Sequence, residues 1–330
     1  MRTVITGGAG FIGSAIARAL LTQCGEDDEI VLVDNLSRGT DTSALDALRR
    51  SRRVCFVEAD LSDPANVRLL PDRADRVYHM AGIVGVDNVL AAPARVMWVN
   101  TSLAANVFHW FVDAATDGAR LLFASTSEVY AGAALSGLPL PIPTPETAPA
   151  VIHDPTSPRM SYGVSKLWGE MYGRFLAQAR DRFVAIVRYH NVYGPAMGFS
   201  HVIPQVIARA LRRESPFRII GAAETRSFCW VDDAAEASTL LLESPKLRSG
   251  DVVHVGDAHG EITIQQLYEL IFELVQWHPE HVEFAGSSAG SVPRRCPNVS
   301  LLASLTGFTP RRPLRAGLQE TIDWYRDRLT

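Results

Sequence analysis

The sequence predicts an α/β fold: a doubly wound parallel sheet with a smaller, partly interleaved α+β part at its C-terminal end. Three observations predict it. Apolar runs rich in Val, Ile and Leu alternate with helix-length segments through the first half of the 330 residues. Those runs show little polar alternation, as befits strands buried on both faces. A glycine-rich turn joins the first run to the first helical segment, which is how a parallel sheet prepares an anion site.

Taken in order, strands are expected at 3–6, 29–33, 54–58, 76–80, 121–125 and 183–188. Helices are expected between them, near 12–22, 64–70, 94–115 and 161–180. Repeated β-α units of this kind wind into one sheet whose ligands sit at the carboxyl ends of the strands. Segment 137–158 carries seven prolines, which remove donors and block helix. It reads as an ordered loop spanning the mouth of the site. After Asn191 the pattern is mixed: a helix near 203–213, strands near 217–220 and 251–255, a helix near 263–276 and a last helix near 314–328. No internal repeat is present.

Composition bounds the function classes. With 47% hydrophobic and 21% charged residues the chain can bury a normal core. A net charge of −4 gives no bulk attraction for nucleic acid or an anionic membrane. The basic clusters Arg49-Arg50, Arg52-Arg53 and Arg311-Arg312 read as solvated faces. The four cysteines are scattered without metal-ligand spacing, so no metal site and reduced thiols in a cytoplasmic protein are expected. The sequence given runs directly into a strand, so no signal peptide is expected, and no apolar run reaches the roughly 18 residues of a membrane span.

The first strand leads into Thr-Gly-Gly-Ala-Gly-Phe-Ile-Gly, residues 6–13. Gly7 permits the tight turn, Gly10 lets backbone approach a pyrophosphate, and Gly13 lets the new helix pack on the sheet with its amides facing the anion. Asp34 closes the second strand at the expected offset. A carboxylate there accepts from ribose hydroxyls and repels a 2′-phosphate, so the cofactor reads as NAD rather than NADP. Arg38 is the residue that could pair with such a phosphate.

Tyr162 and Lys166 stand at i and i+4 of a predicted helix, on one face and one turn apart. An ammonium beside a phenol lowers its pKa toward neutrality, making the tyrosine a general base toward a hydroxyl. Ala-Ser-Thr-Ser-Glu-Val-Tyr, residues 124–130, ends an apolar strand. Thr126, with Ser127 beside it, is placed to hydrogen-bond a substrate hydroxyl as it becomes a carbonyl. Ser125 reads as a satisfied strand-end residue. Glu128 reads equally as a salt-bridge partner or as an acid/base group.

With these motifs the chain resembles the extended short-chain dehydrogenase/reductase superfamily, in its NAD-dependent nucleotide-sugar epimerase/dehydratase/decarboxylase branch. Further marks are Asp34-Asn-Leu-Ser-Arg-Gly, Asp60-Leu61, Val77-Tyr-His-Met-Ala-Gly82, Asn100-Thr101, Arg188-Tyr-His-Asn-Val-Tyr-Gly-Pro195 and Arg226-Ser-Phe-Cys-Trp-Val-Asp-Asp233. The resemblance covers nearly the whole length. It implies a Rossmann sheet over 1–189, with a returning segment near 226–256, that binds NAD, and a substrate-binding part over 190–330. It implies cofactor contacts from Gly7, Gly10, Phe11, Ile12, Gly13, Asp34 and Asn35, from Asp60 and Leu61 beside the adenine, and from Ala81 and Gly82. Asn100 orders the site from the helix below. Tyr162 and Lys166 are base and cofactor-ribose contact. Asn191 meets the diphosphate of a nucleotide sugar, with Arg226 and Arg295 as cationic partners. An arginine suits that task because its planar fork donates two parallel hydrogen bonds. His190 and Tyr193 read as packing residues. The resemblance also implies a homodimer, through a four-helix bundle built from the helices near 94–115 and 161–180.

Members of that branch share a first step, oxidation of a sugar carbon, and then diverge. Dehydratases typically carry Thr-Asp-Glu where this chain has Thr126-Ser127-Glu128, so the acid for elimination is missing. Thr-Ser-Glu-Val-Tyr and the tail from Arg295 resemble UDP-glucuronate decarboxylases; the same tail occurs in many epimerases. The expected activity is an NAD-dependent nucleotide-sugar epimerase acting at C4 through a transient 4-keto sugar, with the cofactor recycled in place. Decarboxylation of a UDP-glucuronate type comes next, then 4,6-dehydration, with an NAD-binding regulatory protein as the non-enzymatic alternative.

Overall fold

All six apolar runs form strands: β1 (Arg2–Thr6), β2 (Glu29–Asp34), β3 (Val54–Glu58), β4 (Ala74–His79), β5 (Ala115–Thr126) and β6 (Phe183–Tyr189). The computed structural model describes residues 1–23, 25–37, 43–288 and 290–329; Cys24 and Arg38 lie outside the described residues. With the strand Val252–Val255 the six build one sheet in the order Val252–Val255, β6, β5, β4, β1, β2, β3, every neighbouring pair parallel. The order reverses between β1 and β4, which opens a crevice at the strand ends just where Gly7 follows Thr6.

Successive residues of each strand enter opposite cores. Ile5, Leu32 and Leu122 pack with Ala15 and Ile16 of helix α1 (Phe11–Gln23) and with Ala234 of helix Val231–Glu243. Val4, Val31, Leu121 and Phe123 pack with the layer that includes helix α4 (Pro93–Ala114) through Val107, Phe108 and Phe111. Both faces of the sheet are thus covered, which is why its strands read as continuous apolar runs. The short helices α2 (Ser43–Arg49), α3 (Val86–Ala91) and α5 (Ala131–Leu135) were not expected, since each is too short to show a helical period. The segment at 64–70 is a 3-10 turn, Pro64–Leu69, capped by the Asp63 carboxylate, which accepts from Ala65 N at 2.9 Å.

Helix α6 (Met160–Ala179) lies beside α4 and carries Tyr162 and Lys166. Beyond Asn191, helices Val202–Leu211, Ile264–Val275 and Leu314–Leu329 and strand Phe217–Ile220 fall where expected. Helix Val231–Glu243 did not announce itself, because its buried face is largely alanine, serine and threonine. The small ladders of the C-terminal part are two to four residues long, with Thr225–Ser227 lying between Glu261–Thr263 and Arg294–Arg295. Among the described residues no helix is long and apolar enough to cross a membrane.

Candidate active site

The glycine turn is fixed by backbone contacts. Gly7 has φ +69°, and its amide donates to Val33 O at 2.7 Å. A Cβ at Gly13 would lie 2.1 Å from the Gly7 carbonyl oxygen, so a side chain there would push the helix off the turn. Gly8 is constrained as well, since its Cβ would fall 2.9 Å from Ile5 O; the sequence reading passed it over. Phe11, Ile12 and Gly13 open α1, and amides of a first helical turn have no acceptor within their own helix. The result is a bare, donor-rich cradle that fits a dinucleotide pyrophosphate. Asp34 does two jobs beside it: its carboxylate accepts from Ala9 N at 3.1 Å and from Leu36 N at 2.9 Å, bracing the turn from the next strand.

The neighbouring loops are equally well tied. Burial works to raise the Asp60 carboxyl, but hydrogen bonds from Ser62 and Asn35 hold it below the usual carboxylate range. Leu61 is buried, and its carbonyl accepts from Asn106 at 2.8 Å. Ala81 and Gly82 follow β4. Asn100 accepts from Ile83 N at 2.8 Å and donates to Ile83 O at 3.1 Å and to the Ser165 hydroxyl at 3.3 Å. One side chain of α4 therefore fastens the β4 loop to α6.

Thr126 ends β5 and meets α6. Its hydroxyl accepts from Glu128 N at 3.2 Å and lies close enough to the Tyr162 phenol to favour the phenolate. Ser127, buried, sits in the 3-10 turn that follows. Ser125 donates to the Glu170 carboxylate, the satisfied strand-end role expected of it. Lys166 is buried too, its ammonium held against neighbouring elements. It lies 5.1 Å from the centroid of the Phe123 ring and beside the Gly82–Asn100 loop. In this structure the phenol's pKa is raised rather than lowered, contrary to the expectation. Burial raises Tyr162 above its ordinary 10, the Thr126 hydroxyl opposes this, and the Glu128 charge adds to the rise. Burial alone brings Lys166 down from 10.5 to about 8.

The opposite wall is charged. Arg295 Nη1 donates to Glu128 Oε1 at 2.7 Å, and Arg226 Nη2 donates to Glu224 Oε2 at 2.7 Å. Burial opposes ionisation of Glu128, yet Arg295, with Arg159 and Arg226 further off, holds it below the usual range. Burial and the Arg295 charge bring Arg226 from 12.5 to about 10. The Asn191 amide donates to Ser227 O at 3.0 Å, from a backbone at φ +39°. Arg226 and Arg295, paired in register on neighbouring strands, both lie near Glu128, and each is already paired with a glutamate. The proline-rich segment is pinned alongside: Thr144 N donates to Cys296 O and Asn298 N to Thr144 O, both at 2.8 Å.

Sequence reasoning missed the buried network behind this wall. Arg188 grips Glu170 through Nε at 2.9 Å and Nη2 at 2.6 Å, with side chains only 8% and 5% exposed. Arg188 also donates to the Tyr130 hydroxyl, which lies 2.8 Å from His254 Nε2. Glu170 stands one turn beyond Lys166 on the same face of α6, a spacing that could have flagged it.

The family model for the NAD dependent epimerase/dehydratase family matches residues 3–256. A UDP-N-acetyl-alpha-D-glucosaminuronate decarboxylase of Bacillus cytotoxicus is 29% identical, over 99% of this chain and 98% of its own length. A UDP-glucose 4-epimerase of Thermotoga maritima, solved with UDP-glucose, is 28% identical over the whole of both chains with a TM-score of 0.83. A dTDP-glucose 4,6-dehydratase of Streptomyces venezuelae, solved with NAD, is 26% identical, covers 99% of this chain and 97% of its own, and has a TM-score of 0.85. Three reactions are represented at nearly equal distance.

Proposed function

This chain belongs to the NAD-dependent epimerase/dehydratase family and takes NAD as its cofactor, and on that premise we propose that it is a nucleotide-sugar 4-epimerase. The observation that carries the reading is the placing of Thr126, at the open end of β5, close enough to Tyr162 to act on its phenol, with Lys166 one turn on. Tyr162 accepts the proton of a sugar hydroxyl and later returns it, while Thr126 holds the same oxygen in line. Held between the glycine cradle, Asp34 and Lys166, NAD supplies a hydride acceptor for the sugar carbon and a positive ring that favours the phenolate. Ser127 offers a hydroxyl where elimination needs a carboxylic acid, which disfavours loss of water. Asn191, Arg226 and Arg295 are the diphosphate ligands of this reading, with Arg226 and Arg295 exchanging their glutamates for phosphate oxygens. The NAD-binding half is 1–189 with the returning segment near 226–256, and the sugar-binding half is 190–330.

A second reading, decarboxylation of a nucleotide-linked uronic acid, is favoured by the Glu128–Arg295 pair and by the decarboxylase named above. It needs the same first oxidation, after which the β-keto acid loses carbon dioxide. A homodimer is proposed for the exposed apolar face of α4 and α6, where Trp98 is 70%, Met171 54% and Phe175 59% exposed. Incubating the NAD-loaded protein with UDP-glucose, UDP-galactose, UDP-glucuronate and dTDP-glucose, with NMR of the products, tests the choice. Interconversion at C4 supports the proposal. Carbon dioxide release turns it to the second reading, and a stable 4-keto-6-deoxy sugar defeats both. Tyr162→Phe is expected to lower the rate about 10²–10⁴-fold while NAD binding persists.

A further inference from the structure

Past the end of β6 two imidazoles lie side by side, their centroids 4.5 Å apart, and they are provisioned unequally. His254 has both nitrogens engaged, Nε2 at 2.8 Å from the Tyr130 hydroxyl and Nδ1 at 3.1 Å from Asn298 O. His190 is only 1% exposed, and neither of its ring nitrogens has a hydrogen-bond partner among the described residues. A neutral imidazole always presents one N–H donor and one acceptor, and burying both unpaired is costly. Such a group in a native fold calls for a partner.

The ring's position narrows what that partner is. His190 immediately precedes Asn191. A Cβ at Gly256 would fall 2.9 Å from His190 Cβ and 2.9 Å from Pro297 Cγ, so the residue is wedged between the end of the strand Val252–Val255 and the tail that carries Arg295. Arg295 is near enough for its charge to act on the ring, which burial and the neighbouring His254, Arg295 and Arg188 keep neutral. Three polar neighbours are committed elsewhere: Arg188 to Glu170, Arg295 to Glu128, Asn191 to Ser227. The residue that follows it in the chain, Asn191, and the tail that flanks it, with Arg295, supply the proposed diphosphate ligands, so the nearest outside partner is the rest of that ligand.

We propose that His190 is a sugar-recognition residue, its imidazole pairing with a hydroxyl of the nucleotide-linked sugar once Arg295 leaves Glu128 for the diphosphate. A hydroxyl is the matching chemistry, because it gives one hydrogen and takes another, as the neutral ring does. The inference rests on the nucleotide-sugar reading above but not on which reaction follows. It makes His190 a specificity-determining residue where the sequence alone suggested packing. A pocket built to pair with a hydroxyl rejects a sugar that lacks it, because the ring is then left buried and unpaired.

The test is calorimetric binding to the NAD-loaded full chain, comparing wild type with His190→Phe and His190→Gln. The probes are UDP and dTDP without a sugar, and UDP-glucose, UDP-N-acetylglucosamine, UDP-glucuronate and dTDP-glucose. His190→Phe is expected to bind the sugar-free nucleotide within about twofold of wild type and the nucleotide sugar about tenfold more weakly, with His190→Gln recovering part of the loss. Should the phenyl ring prevent folding, His190→Met is read for the same ratio. Unchanged sugar binding in these variants overturns the inference, as does equal weakening of both ligand classes, which marks a packing role. A wild type that binds none of the probes removes the nucleotide-sugar reading itself.

Discussion

The two walls of the cleft are made by different means. The wall formed by β1, β2 and β4 is backbone: Gly7, Gly8 and Gly13 bring main chain to within a Cβ's width of main chain, and Asp34 ties the turn with two amide bonds. The wall formed by the C-terminal part is side chain: Arg226 with Glu224, Arg295 with Glu128, hung on ladders two or three residues long. The first wall has one shape available to it. The second holds charge in pairs that a ligand can rearrange. A cofactor that stays in place suits the former, and a sugar that arrives and departs suits the latter.

Three changes would break or sharpen this contrast. The largest effect is expected at Gly13→Ala, where the added methyl meets the Gly7 carbonyl oxygen at 2.1 Å. Overpacking of this kind costs about 1–3 kcal/mol, and NAD binding should be lost with it. Urea melts and a nucleotide titration read both; retained NAD affinity would show that the cradle is softer than its contacts indicate.

Next comes Lys166, which belongs to the rigid side. Its folded pKa, about 8, lies below the ordinary 10.5. Between those values the unfolded chain holds the proton that the folded chain has released. Stability should therefore rise with pH from about 8 to 10.5, by at most about 1.4 kcal/mol per pH unit, and the burial penalty is fully present below pH 8. Melts of the NAD-free protein across that window, with Lys166→Met as the flat control, check the sign. The smallest effect is expected on the charged wall: Arg226→Met should weaken UDP about tenfold and leave NAD affinity unchanged. A change in NAD affinity would mean that the two walls are coupled.

The same division governs what the sequence disclosed. Gly7, Gly10, Gly13, Asp34 and the Tyr162–Lys166 pair are legible because local backbone geometry demands those residues at that spacing. Five of the six expected strands are legible because both of their faces are buried and apolar; β3, at the sheet edge, is not buried. Glu224, 67 residues from Ser291, and Glu128, 167 from Arg295, were not legible as partners, because only the folded chain brings them together. The direction of the Lys166 ammonium was also out of reach: an i, i+4 spacing puts two side chains on one face but leaves their torsions to the packing of Phe123 and Asn100. Helix Val231–Glu243 escaped because small residues line its buried side, where a periodic pattern of large apolar residues was sought.

Asp34 carries a consequence for redesign. Its carboxylate, the group proposed to meet the cofactor ribose, clasps the amides of Ala9 and Leu36. Swapping it for a neutral or basic residue to admit a phosphorylated coenzyme would therefore also unfasten the loop that seats the pyrophosphate. A successful switch of coenzyme preference needs a second substitution that restores an acceptor for those two amides.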